Sequence, residues 1–486
     1  MALMTGKEYR ESLRNRRPLN VYFAGEKLDN PYDHPVIKAS INSVALTYEL
    51  AEDPQYREAL TATSSLTGNR VNRFCYLHQN PEDLYKKVGM QRLLGQKSGT
   101  CFQRCVGMDA FNAVFSTTYE MDEKYGTDYH KRFKEYMLLV EEGDWVVDGC
   151  MTDAKMDRSK RPSQMTDPDG FVRVVERRKD GIVIRGAKMH QTGALNSHHA
   201  LVMPTMTMGE EDKDYAVCCS VEADDPNITY IYGRQSNDTR LMEDPEGGNL
   251  DSGSPTFGGQ ECMVVFNDVF VPNKWVFMDG EWDFSGMLVE RFSGYHRSSY
   301  ACKTGVGDVA IGAAALIAEY NGTSKASHIK DKIVEMTHLN ETIWSSSVAC
   351  CWLGTKTKAG NYLIDLLLAN VCKQNVTRFP YEISRLLQDI AGGLMVTMPH
   401  AKDLKNPETG PLIEKYLKGV DGVPTINRMK LLRLIENLTM GRAAVGYLTE
   451  SMHGAGSPQA QRIMITRQGR VDRKKEYAKN LARIEE

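Results

Sequence analysis

The chain has 486 residues, enough for two or three domains around a large buried core. Its 60 basic and 63 acidic side chains leave a net charge of −3, and 41% of the residues are hydrophobic. That balance gives no whole-chain reason to expect nucleic acid or an anionic membrane surface as a partner.

Eleven cysteines without regular spacing, and an N-terminus (MALMTGKEYRESLRNRRP) lacking an apolar segment, predict a cytoplasmic protein without disulfides. No uninterrupted apolar run approaches the ~18 residues of a membrane span. Residues 5–142 are mainly of helical pattern, with helices expected over 36–50, 83–94, 102–119 and 130–141. Near Asp148 the character changes. Residues 172–177, the turn Lys179-Asp180-Gly181 and residues 182–185 read as strand, turn and strand. Further β-rich runs at 200–208, 215–221, 229–232 and 262–271 predict a small barrel or sandwich, with 243–259 as a loop over it. Helices return at 305–320, 327–347, 361–396, 425–445 and 457–486, with 399–424 as a loop. The expected organisation is an N-terminal helical domain (1–147), a middle β-domain (148–282) and a C-terminal helical bundle (283–486). No strand runs into a G-x-G-x-x-G turn, which argues against a Rossmann domain.

The stretch QKSGTCFQRCVG (96–107) sets Cys101 and Cys105 four residues apart in a segment predicted to be helical. On one helical face their Cβ atoms would stand about 5–6 Å apart, close enough for two thiolates to grip one polynuclear metal centre. A pair of buried core thiols is the plainer alternative. Far along the chain, GYHRSSYACK (294–303) gathers His296, Tyr300, Cys302 and Lys303. Three thiolates and an imidazole suit an iron–sulfur cluster or zinc.

Helical, β, then helical order at this length resembles the acyl-CoA dehydrogenase fold, an α+β multidomain architecture. Within it QKSGTCFQRCVGMDAFNAVF, MTDAKMDR, GAKMHQTG, FGGQE, GYHRSSYACK and TESMHGAGSPQAQR, spread from residue 96 to 462, resemble the 4-hydroxybutyryl-CoA dehydratase (vinylacetyl-CoA Δ-isomerase) family. The flavin-dependent 4-hydroxyphenylacetate 3-monooxygenases are its relatives. The resemblance implies FAD, a 4Fe-4S cluster, a homotetramer and a coenzyme A thioester substrate. The reaction it implies is radical dehydration of 4-hydroxybutyryl-CoA to crotonyl-CoA, with vinylacetyl-CoA isomerisation and an anaerobic host. It excludes nucleic acid and membrane partners from the expected function.

Carried over by motif, Cys101, Cys105, His296 and Cys302 would hold the cluster, His296 doubling as a base. Met151-Thr152-Asp153-Ala154-Lys155-Met156-Asp157-Arg158 and His190-Gln191-Thr192 would contact the flavin. Glu261, Tyr300, Lys303 and Glu450 would line the substrate site, the two carboxylates moving protons if burial raises their pKa values. Gln388, Gly392 and Gly393 in QDIAGG would let backbone approach the FAD pyrophosphate, with plain helix packing as the rival.

The family's second ligand pair is spaced H-x6-C, whereas five residues separate His296 from Cys302. Positions i and i+6 fall about 120° apart on an α-helix, so either the helix begins after His296, or a π-bulge or turn re-aims one ligand. Two other functions share parts of this pattern: a flavin monooxygenase acting on a phenol, which needs no cluster, and a zinc-stabilised scaffold without catalysis.

Overall fold

The computed structural model describes residues 3–236, 238–243 and 250–484. Two sheets form its centre. The larger runs in the order Glu26–Lys27, Asn20–Phe23, Ile228–Tyr232, Glu261–Pro272, Gly181–Thr192, Arg173–Arg177. The smaller runs Val276–Asp279, Val217–Glu222, His199–Val202, Val147–Cys150. Alternating apolar positions from both, among them Ile184, Leu201, Val264, Phe266 and Phe277, are buried in one continuous core, the packing of a two-layer β-region. Residues 20–27 add two strands at one end of the larger sheet, Asn20–Phe23 lying parallel to Ile228–Tyr232 and Glu26–Lys27 forming the edge.

Several helices fall where apolar periodicity predicts them: Pro35–Glu52, Pro81–Ser98 and Tyr129–Gly143. Others differ for local reasons. The strand expected to end at Arg185 continues through Thr192, because Glu261–Pro272 supplies an antiparallel partner along nearly its whole length. His190, Gln191 and Thr192 therefore sit in a strand rather than in a loop after it. The single helix expected over 361–396 is two, Leu366–Val376 and Phe379–Ala391. Pro380, in the first turn of the second, lacks the N–H that continuing the first would need. The helix begun at Thr425 stops at Thr439, and the last predicted helix splits into Pro458–Gln468 and Val471–Ala482. Of the loop expected over 243–259, residues 244–249 lie outside the described residues.

The stretch Trp282–Tyr320 is long and apolar enough to cross a membrane by length and composition, yet 67% of its most apolar window is buried inside the fold. It packs as a core helix pair, and this pair carries half of the site.

Candidate active site

Helix Pro81–Ser98 ends on Gly99, whose left-handed backbone (φ 62°) closes the helix as a C-cap. Gln103 is left-handed too (φ 61°), and the next helix, Cys105–Tyr125, starts only at Cys105. Cys101 thus stands in the connecting loop. This corrects the expectation that Cys101 and Cys105 share one helical face: Gly99 ends the helix before Cys101, and left-handed Gln103 stands between the two cysteines. The loop is fixed by the side chain of Gln103, which donates to the Gly258 carbonyl (3.0 Å) and accepts from Asn196 (2.6 Å). Both cysteines are nevertheless buried, as is Cys302. Burial pushes the Cys105 thiol well above its usual range, and Cys101, Asp109 and Cys302 add to the rise. The three thiols therefore share one dry neighbourhood.

The spacing of His296 and Cys302 is resolved by a break in the helix. Helix Trp282–Ser299 ends, Tyr300 and Ala301 form a joint, and helix Cys302–Tyr320 begins. Across the joint the amides of Ala301, Lys303 and Thr304 bond three residues back, to Ser298, Tyr300 and Ala301. Such tighter 3-10 winding advances about 120° per residue instead of about 100°, cutting the angular gap between the two side chains to roughly half of its α-helical value.

Asp109 lies one turn beyond Cys105 on the same helical face, and His296 meets it from the facing helix. The ligand atoms of Cys105, Asp109 and His296 all lie within 4.8 Å of one another. His296 Nδ1 is 2.8 Å from Asp109 Oδ2, and Lys87 Nζ is 2.6 Å from Oδ1. Burial alone would raise the Asp109 carboxyl, but Lys87 and His296 hold it below its usual range.

Beside the thiols stand two carboxylates. Glu450 follows a π-helical turn, Val445–Thr449, a local widening common at functional sites. Its Oε2 is 3.0 Å from Lys303 Nζ, and its Oε1 accepts from the Tyr300 hydroxyl at 3.3 Å. Burial works to discharge Lys303, yet Glu450 and the neighbouring thiols outweigh it and raise its pKa. Glu261 begins strand Glu261–Pro272 opposite Thr192, whose hydroxyl lies 2.8 and 2.7 Å from its two oxygens. Burial and then Glu450 push the Glu261 carboxyl well above the usual carboxylate range. Lys373 closes the group: its Nζ lies 3.3 Å from the centroid of the Tyr300 ring and donates to the Ser451 carbonyl.

The residues expected at the flavin divide. Lys155, Arg158 and His190 come together with His453; burial, then Lys155, His453 and Arg158, lower the His190 pKa. Lys155, Met156 and His190 all have left-handed backbones. Asp153 is turned inward, paired with buried Lys188 at 2.8 Å, and Thr152 accepts from the Met189 amide. Met151 packs on the core and Asp157 caps Ser159. Gly392 and Gly393 are exposed, and a Cβ on either would meet nothing within 4 Å. Within one chain, no hydrogen bond or ion pair among the described residues joins Gln388, Gly392 or Gly393 to this group. Sequence reading missed Asp109, Lys87, Lys373 and His453. Only Asp109 left a signal, as a lone carboxylate in the largely apolar run after Cys105.

The sequence matches the model for 4-hydroxyphenylacetate 3-hydroxylase, its N-terminal part over residues 5–278 and its C-terminal part over 285–483. The chain belongs to the 4-hydroxyphenylacetate 3-hydroxylase family. Within that family, it is 60% identical to 4-hydroxybutyryl-CoA dehydratase/vinylacetyl-CoA-Δ-isomerase of Clostridium aminobutyricum, over 99% of this chain and 100% of that protein. The structure superposes on an oxygen-tolerant archaeal 4-hydroxybutyryl-CoA dehydratase from N. maritimus with a TM-score of 0.98 and 58% identity, covering 100% of this chain and 96% of that one. The α+β multidomain fold is thus that of its relatives. The oxygenase component of 4-hydroxyphenylacetate 3-monooxygenase complexed with FAD shares the 4-hydroxyphenylacetate 3-hydroxylase fold at 23% identity and a TM-score of 0.84, covering 98% of each chain.

Proposed function

We propose that this protein is a 4-hydroxybutyryl-CoA dehydratase, converting 4-hydroxybutyryl-CoA to crotonyl-CoA and water, and that it also isomerises vinylacetyl-CoA. Its resident groups in this reading are FAD and a 4Fe-4S cluster, and it works as a cytoplasmic homotetramer. The observation that carries the reading is the convergence of Cys101, Cys105, Cys302 and His296 beside Glu261, Glu450, Lys303 and Tyr300. A phenol hydroxylase has no use for three buried thiols and an imidazole in one place. The donor set is soft and dry, and it fits an iron–sulfur cluster. When bound, the flavin supplies one-electron chemistry and an iron supplies Lewis acidity.

The chain's own residues do the rest. Asp109 accepts from His296 Nδ1, which leaves Nε2 free for the cluster or, once released, for a substrate proton. Glu261, its carboxyl pushed well above the usual carboxylate range by burial and then by Glu450, suits proton transfer. Lys303 and Tyr300 are hydrogen-bond donors able to meet the departing hydroxyl, and Glu450 aligns both. Lys155 and Arg158 offer positive charge to the flavin, and His190 and His453 offer ring nitrogens for hydrogen bonds.

Protein purified without oxygen and given 4-hydroxybutyryl-CoA should form crotonyl-CoA, detected by mass. Hydroxylation of a phenol with no crotonyl-CoA would instead support the monooxygenase reading.

A further inference from the structure

Lys87 and Asp109 are both fully buried, and neither reaches the carboxylates or the Tyr300–Lys303 pair described above. They form a separate polar thread. Lys87, on helix Pro81–Ser98, sends its ammonium to Asp109 Oδ1 (2.6 Å), the Tyr295 carbonyl (3.0 Å) and Ser298 Oγ (3.3 Å). Asp109 Oδ2 receives Ser299 Oγ (2.7 Å) and faces His296 Nδ1 (2.8 Å). One carboxylate thereby joins three helices: the one entering the Cys101 loop, the one begun by Cys105, and the one carrying His296. Buried ionic threads of this kind cost desolvation that a hydrophobic pair would avoid, so their presence asks for a role.

The role follows from what each group can do. An ionised carboxylate only accepts, so the proton shared with Asp109 sits on Nδ1, and in the neutral ring that ligates a metal the lone pair is then on Nε2. Lys87 only donates, so it fixes which carboxylate oxygen faces the ring and compensates the buried charge. Ring stacking on Phe292, with centroids 5.6 Å apart and planes 16° apart, holds the imidazole plane. We infer that Lys87 and Asp109 are positioning residues that set the Nδ1–H tautomer of His296 and aim Nε2 at the neighbouring thiols. The inference rests on the proposed reading of His296 as a cluster ligand.

Asparagine at 109 separates this role from a merely structural one. With Lys87 present, the amide oxygen of Asp109→Asn must face the ammonium, which turns the NH2 toward His296 Nδ1. The ring is then driven to the Nε2–H tautomer and cannot ligate. Replacing Lys87 as well, in Lys87→Met/Asp109→Asn, frees the amide to turn its oxygen to Nδ1. The double variant should therefore recover what the single variant loses, whereas ordinary structural damage would accumulate.

The readout is the imidazole nitrogen coupling in the pulsed electron paramagnetic resonance of the reduced holoenzyme, with histidine nitrogen labelled. The wild type should show it, Asp109→Asn should lose it together with about 10- to 100-fold of kcat, and the double variant should regain it. Coupling retained in Asp109→Asn, or absent from an iron-loaded double variant, overturns the inference alone. An iron-loaded wild type without coupling overturns the reading of His296 as a ligand, and the inference with it. Should Asp109→Asn fail to fold, the double variant, which has no buried charge to compensate, still decides the matter.

Discussion

Gly95 and Gly305 face each other where helix Pro81–Ser98 crosses helix Cys302–Tyr320, with no room for a side chain. A Cβ on Gly95 would lie 2.4 Å from the Cys302 carbonyl oxygen, and one on Gly305 would lie 2.0 Å from that of Arg92. The contact clamps the start of the Cys302 helix onto the helix that feeds the Cys101 loop. Gly305→Ala should force the helices apart, cost about 1–3 kcal/mol of stability, and lower iron retention before it lowers flavin content. Thermal melting and metal analysis on the same sample check this. An unchanged iron content would show that the crossing does not set the thiol geometry.

The two carboxylates can be told apart from mere binding groups by kinetics. If Glu261 and Glu450 move protons, Glu261→Gln and Glu450→Gln should each cut kcat by ~10²–10⁴. If they only hold substrate, KM should rise with kcat kept. Steady-state kinetics on both variants decides between these outcomes.

Gly454 is a control on Tyr300. Its backbone (φ −60°, ψ 144°) suits any residue, but a Cβ there would fall 1.8 Å from the Tyr300 hydroxyl oxygen. Gly454→Ala should push that hydroxyl aside and lower kcat by roughly 100-fold, as misplacement of a positioned group by about 1 Å does. Tyr300 is buried and its ring must move as a unit, so the overpacking should also cost about 1–3 kcal/mol of stability, read by thermal melting of the same sample.

Asp148 gives a pH dependence of stability. It is buried, it accepts from the Cys150 thiol at 3.1 Å, and burial lifts its pKa to about 7. Because the folded pKa lies above the unfolded one, the folded chain holds a proton that the unfolded chain has lost throughout that interval. The stability that this group contributes is thus full below about pH 4, falls as pH rises toward 7, and is lost above it. Asp148→Asn should remove this slope, so Tm curves of wild type and variant should converge at low pH and separate at pH 8. Parallel curves would mean that the carboxyl is not protonated in the fold.

The helix–sheet–helix order and most core helices were legible because apolar periodicity is a local signal. The site was legible only through unusual residues, the cysteines and the histidine. The helix break at Tyr300–Ala301 was open from the spacing of His296 and Cys302 alone, since an α-helix could not aim both side chains together. The loop position of Cys101 was not, because Gln103 adopts a left-handed backbone that is held by distant Asn196 and Gly258. Lys87 and Lys373 could not be found either: each is one lysine among many on a helix, and only the packing of other helices buries it.

The most direct test of the whole account is the iron, acid-labile sulfide and flavin content of protein purified without oxygen. About four irons and four sulfides per chain together with flavin, falling in parallel with dehydration in Cys105→Ala, is the predicted result. Flavin without iron, or a Cys105→Ala protein with full iron and full activity, would contradict it.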